Sequence, residues 1–145
     1  MAEWKEPVFD RTQADVDYAK SQLAKNINNV KYKGCFNVED ISRIEGNTQY
    51  LSDILNNLYY RNAVDTRIYK QGTVLSVSHI DRIMNNISVL WGKYYTPAGA
   101  ISLPKTLLTY EQVNALEKNQ HLIKEMLDNM IASFKECGAF VCGEE

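Results

Sequence analysis

The side chains best suited to metal ligation or nucleophilic attack in this 145-residue chain are two histidines, His79 and His121, and three cysteines, Cys35, Cys137 and Cys142. A zinc site needs about four such ligands in close-spaced pairs. Cys35 is far from the other two cysteines, and neither histidine neighbours a cysteine, so the expectation is free thiols and no metal. A Ser or Cys nucleophile needs a base beside it. His79 falls in the first turn of an expected helix, where a protonated imidazole opposes the helix dipole; it is a poor buried general base. The acid pairs Glu39–Asp40 and Asp15–Asp17 stand at helix starts, where carboxylates complement the dipole. The glycines are dispersed with no Gly-x-Gly to cradle a phosphate, and no hydrolase or metalloprotease motif sits in a convincing setting. These residues predict no enzyme, no cofactor and no small-molecule substrate.

The compositional oddity is nine tyrosines. Tyr59–Tyr60 and Tyr94–Tyr95 each close a helical unit. Tyrosine is amphipathic and enriched in protein interfaces, so the pairs suit docking; they equally suit the end of a bundle, with hydroxyls in water.

The elements that must position these residues are announced by a helical phrase that recurs. It runs from Asn37 through Ile41 and Ile44 to Asn47, from Ser76 through Ile80 and Ile83 to Asn86, and from Thr109 through Val113 and Leu116 to Asn119. Each copy opens on a capping residue. A fainter copy starts at Thr12, with Val16, Ala19 and Gln22. Thr12 with Asp15, Asn37 with Asp40, and Thr109 with Gln112 have capping-box spacing. The spacing predicts helices from Thr12 to about Asn28, after Asn37 to about Tyr59, from Ser76 to Gly92, and from Thr109 to about Glu136. A short strand is expected over Thr66 to Tyr69.

Aliphatic steps of three and four recur along each helix, as in Ile41, Ile44, Thr48, Leu51, Leu55 and Leu58. Such seams predict an all-α fold, a bundle of about four helices with internal repeats. Residues 1–10 form an extended arm, 11–136 the bundle and 137–145 an extended tail. The pattern leaves open whether the seams close within one chain or between chains. Asn47, Asn86 and Asn119 stand beside the seams, off strict heptad positions. That placement favours amides bonding a neighbouring helix or loop carbonyl over register devices at a subunit interface.

Sixteen basic against eighteen acidic residues give a net charge of −2, with no adjacent basic pair. Nucleic acid is therefore not an expected partner. No apolar run approaches the roughly 18 residues of a membrane span, and the start has no secretory pattern, so synthesis in the cytoplasm without membrane insertion is expected.

Three stretches carry a resemblance. Pro7–Ala19 contains Asp10-Arg11-Thr12-Gln13-Ala14-Asp15-Val16-Asp17. Lys33–Glu45 contains Asn37, Asp40, Arg43 and Glu45, followed by Tyr50-Leu51 and Leu55-Asn56. Leu108–Lys118 contains Leu-Thr-Tyr, Asn114 and Glu117, followed by Met130 and Cys137-Gly-Ala-Phe-Val-Cys-Gly-Glu144. In this order they resemble small tail-associated phage and prophage proteins of Gram-positive bacteria. The middle departs: Ile68–Leu75 replaces that family's Trp and its Ile-Pro-Thr. The resemblance implies a virion structural or assembly protein of the baseplate, tail tip or fibre region. Such a protein is made in the bacterial host, resides in the virion, is homo-oligomeric and is partnered by other tail proteins. No catalytic residue comes with it. The expected docking residues are Trp4, Val8 and Phe9 in the arm, Tyr59, Tyr60, Tyr94 and Tyr95 at the unit ends, and Phe140 and Val141 in the tail. The alternative is a small phage-encoded helical regulatory or inhibitory module that binds one host protein.

Overall fold

The structure, a computed structural model, describes residues 2–26, 31–73, 75–93 and 109–138. It is all-α, with α1 at Gln13–Ala24, α2 at Val38–Asn57, α3 at Val77–Lys93 and α4 at Tyr110–Gly138. Local chemistry sets the starts. Thr12 and Asp15 make a reciprocal capping box on α1, as Asn37 and Asp40 do on α2. At α4 the Thr109 hydroxyl accepts from Gln112 N–H and the Gln112 amide accepts from Thr109 N–H. Each box satisfies two of the four amide groups that a helix start leaves unbonded.

The ends follow different rules. In α2, Tyr60 N–H donates to Leu55 C=O and Tyr59 N–H to Asn56 C=O, the paired bonds of a Schellman turn. Tyr59 takes its left-handed position at φ 66°, where glycine is usual. α1 is shorter than the expected Thr12–Asn28 because Asn26, at φ 58°, turns the chain out of the helix. α4 runs two residues past the expected boundary at 136.

Helix direction follows from the core. One apolar cluster gathers Ile41 and Ile44 near the start of α2, Ile83 and Ile87 of α3 ahead of Leu90, and Val113 and Leu116 near the start of α4. A second gathers Leu51, Ile54 and Leu55 with Leu90 and with Ile123, Leu127 and Met130, all further along. The three helices therefore run parallel, and their seams close within one chain. Trp91 touches both clusters. Each fully buried Leu or Ile contributes about 1.5–3 kcal/mol relative to an exposed one. A polar bridge crosses the α2–α4 seam, where Gln120 Nε2 donates to Ile44 C=O at 2.8 Å and to Thr48 Oγ1 at 2.9 Å.

Parallel helices need return paths. Residues 58–76 run back from the end of α2 to the start of α3, with Asp65 held at Asn86 and Tyr69 at Arg82, one turn nearer the α3 start. The arm, residues 2–11, likewise runs antiparallel to α2 and α4, with Lys5 at Asn47 and Arg11 at Asp40. The expected strand at Thr66–Tyr69 is not formed. The segment carries neither strand nor helix; just before it, the Asp65 main chain is bonded by the side chains of Asn86 and Arg82 in place of another strand.

α1 lies beside this three-helix unit and buries only Ala19. Its support is the turn at Gly34, where an added Cβ would stand 2.2 Å from Asp15 C=O. Only glycine permits that approach of two backbones.

Candidate functional site

The most elaborate polar assembly is a buried charge cluster where the arm, α2 and α4 meet. Arg11 is 5% exposed, Asp40 7% and Glu117 0%. Arg11 Nη2 reaches Asp40 at 3.0 Å and Glu117 at 3.4 Å. Arg43 Nη2 reaches both acids at 2.6 Å. Two guanidinium groups face two carboxylates, so the cluster is neutral. Val8 N–H also donates to Glu117, and Arg11 Nε donates to Lys33 C=O. Burial pushes the Glu117 carboxyl above its ordinary value, and Arg43 and Arg11 pull against that rise. Burial alone would lower the Arg43 guanidinium, but Glu117 and Asp40 outweigh it and hold it up.

A second pair lies between α2 and α3. Arg82 bonds Glu45, 3% exposed, and the Tyr69 hydroxyl. Glu45 raises the Arg82 guanidinium against the effect of burial. Burial and Glu45 raise the Tyr69 phenol.

The asparagines supply a third kind of contact. Asn47 Oδ1 accepts from Lys5 N–H at 2.9 Å while its Nδ2 donates to Lys5 C=O at 2.7 Å. Asn86 brackets Asp65 in the same way, at 3.0 and 2.8 Å. Asn114 brackets Arg11 at 3.3 and 2.9 Å. A side-chain amide has one acceptor and two donors on one plane, so it mimics the edge of a strand for one residue of extended chain. Asn47 and Asn86 thus bond loop main chain, in keeping with the reading adopted from sequence. Asn119 is likewise fully buried.

The expected docking residues divide three ways. Trp4, Val8 and Phe9 are half-buried on their own bundle. Trp4 packs against Tyr50 with ring centroids 5.6 Å apart, and Lys124 sits over both rings. Phe9 meets His121 at 5.2 Å. Tyr60 packs on the second core cluster, whereas Tyr59 beside it is 93% exposed. Tyr94, Tyr95, Phe140 and Val141 lie outside the described residues. Other large apolar side chains in water include Tyr18, Leu23, Ile68, Val77 and Phe134.

Sequence reasoning missed the buried pairing and bridging roles of Arg11, Asp40, Arg43, Glu45, Arg82, Asn114 and Glu117. Their signal was present: Arg43 and Arg82 each precede a seam aliphatic, and Glu45 and Glu117 each follow one. A charge flanking a buried seam needs a partner.

As chemistry, the assembly holds backbone and charge in place. Its acids are committed to guanidinium and amide partners. The open cleft of about 670 Å³ near Cys35 has mostly apolar walls, including Leu23, Tyr32, Phe36 and Leu75. Among the described residues no group of three His, Cys, Asp or Glu side chains could hold a metal ion, and no helix is long and apolar enough to cross a membrane.

No protein-family model, no curated protein and no solved structure matches this chain.

Proposed function

We propose that this protein is a structural or assembly component of a phage or prophage tail, acting by protein–protein contact in the baseplate, tail-tip or fibre region. One observation carries the reading. The three stretches that resemble tail-associated proteins are far apart in sequence, and their charged and amide residues converge: Arg11 from the first, Asp40 and Arg43 from the second, Asn114 and Glu117 from the third. A chance likeness of capping motifs would follow helix starts. This likeness also follows a long-range cluster that joins residues 106 apart.

The test is immunoblotting of purified particles from the producing host, alongside the solution mass of the free protein by light scattering. A band in intact particles, with a mass that is a multiple of the 16.6 kDa chain, is the expected result. Absence from particles, with the protein free in the host cytoplasm, would overturn the reading in favour of a regulatory module that binds one host protein.

A further inference from the structure

α3 starts differently from the other helices. α1, α2 and α4 each carry an acid in the first turn, Asp15, Glu39 with Asp40, and Glu111; α3 carries none. Its third residue is His79, whose Nδ1 accepts from Ser76 N–H at 3.1 Å and lies 3.2 Å from Ser76 Oγ. The imidazole stands where Asp15, Asp40 and Gln112 stand in the other boxes, reaching back to the residue before the helix. A backbone N–H can only donate, so Nδ1 carries no proton in this contact.

We propose that His79 makes the start of α3 a pH-sensitive latch, closed by the neutral imidazole and loosened by its protonation. The proton lands on the acceptor, so the cap bond is lost. The same proton puts a cation at the positive end of the helix dipole. Histidine is the side chain suited to change charge between about pH 5 and 8. The Ser76 hydroxyl, 3.2 Å away, can accept from a protonated Nδ1, but the Ser76 N–H still loses its acceptor, and no neighbouring charge offsets the new cation. The Tyr69 ring, from the 58–76 segment, meets the imidazole edge-on at 5.6 Å. Arg82, one turn along α3, lies over the same ring at 5.9 Å and is paired with Glu45 of α2. Asp81 on α3 is exposed. Among the described residues no carboxylate pairs with His79. The first turn seats Ile80 on the core, so acid loosens the contact between the α3 start and the 58–76 segment.

Sign follows from the bond: only the neutral form is capped, so the latch is present at higher pH and lost as pH falls. The experiment is amide hydrogen exchange of the full chain, corrected for intrinsic rates, at the two ends of the range. The amides to follow are His79 and Ile80, both bonded to Ser76 C=O. Loss of the cap together with the dipole penalty corresponds to about tenfold more opening at low pH. His79→Gln, which keeps a neutral acceptor, should show no rise, and His121→Gln should keep the wild-type rise. A flat wild-type response, or the same rise in His79→Gln, would overturn the latch. The nitrogen chemical shift of His79 is an independent check that needs no variant: Nδ1 should be unprotonated at neutral pH, and a protonated Nδ1 there would equally overturn it.

Discussion

At the scale of single residues, the telling position is Tyr59. A left-handed φ costs an ordinary L-residue roughly 1–2 kcal/mol, and glycine is free of that cost. The tyrosine there is almost wholly in water, so its own burial does not offset the strain. Replacing Tyr59 with Gly should therefore leave stability unchanged or raise it by about 1 kcal/mol, as read by chemical denaturation. On the proposed function, the same variant should enter particles poorly. Normal incorporation would remove Tyr59 from the docking set. Asn47 and Asn86 illustrate the opposite use of one side chain, in which an amide is buried so that a length of extended chain can be. Tyr59 was legible as a surface residue from its place at the end of a helical unit. Its strain was not, because φ depends on the three-dimensional turn.

The element scale separates what is local from what is not. The capping boxes were legible from three-residue spacing because both partners lie within one turn. Their acids predict a pH response. The Thr12 amide and hydroxyl hold Asp15 below its ordinary value of 3.8. A lowered value means that stability is contributed above pH 3.8 and lost as pH falls through the lowered value. Asp15→Asn should flatten the acid-side fraying of α1, read from hydrogen exchange at Val16 and Ala19. If that fraying is as steep in the variant as in the wild type, the box does not govern it. Gly34 was legible as a helix breaker, yet its role is the backbone contact with α1. Gly34→Ala should cost about 1–3 kcal/mol, seen as a lower denaturation midpoint. Gly46 is the control: inside α2 with nothing within 4 Å of a new Cβ, Gly46→Ala should gain about 0.5–1 kcal/mol. Heptad-like seams marked the helices but are blind to direction, so the parallel arrangement could not be read from them. α1 was expected to join the bundle through the faintest of the four repeats. Its seam offers only Ala19 to the core, Leu23 stays 42% exposed, and the helix lies outside. The strand expected at 66–69 did not form, and Asp65 just before it finds its main-chain partner, Asn86, in a different element.

For the whole molecule, the arm is part of the folded unit. It supplies one of the two cations of the central cluster. Deleting residues 1–11 would leave Arg43 alone to serve two buried acids, and breaking a buried pair in this way costs about 3–5 kcal/mol. The truncated chain should unfold at markedly lower denaturant; an unchanged midpoint would show that the arm is an appendage. The arm's dependence on α4 also bears on synthesis. A chain leaving the ribosome at about 5–20 residues per second exposes Arg11 some 5–20 s before Glu117, since the two are 106 residues apart. Until then the cluster has no second acid, the arm lacks its Asn114 and Glu117 anchors, and the seams of α2 and α3 lack the third helix that closes them. Folding of this unit is thereby deferred until α4 has been made, and a chain stopped before α4 cannot form the finished surface. The pairing of the arm with α4 acts as a proofreading step, passed only by chains in which both segments have been made.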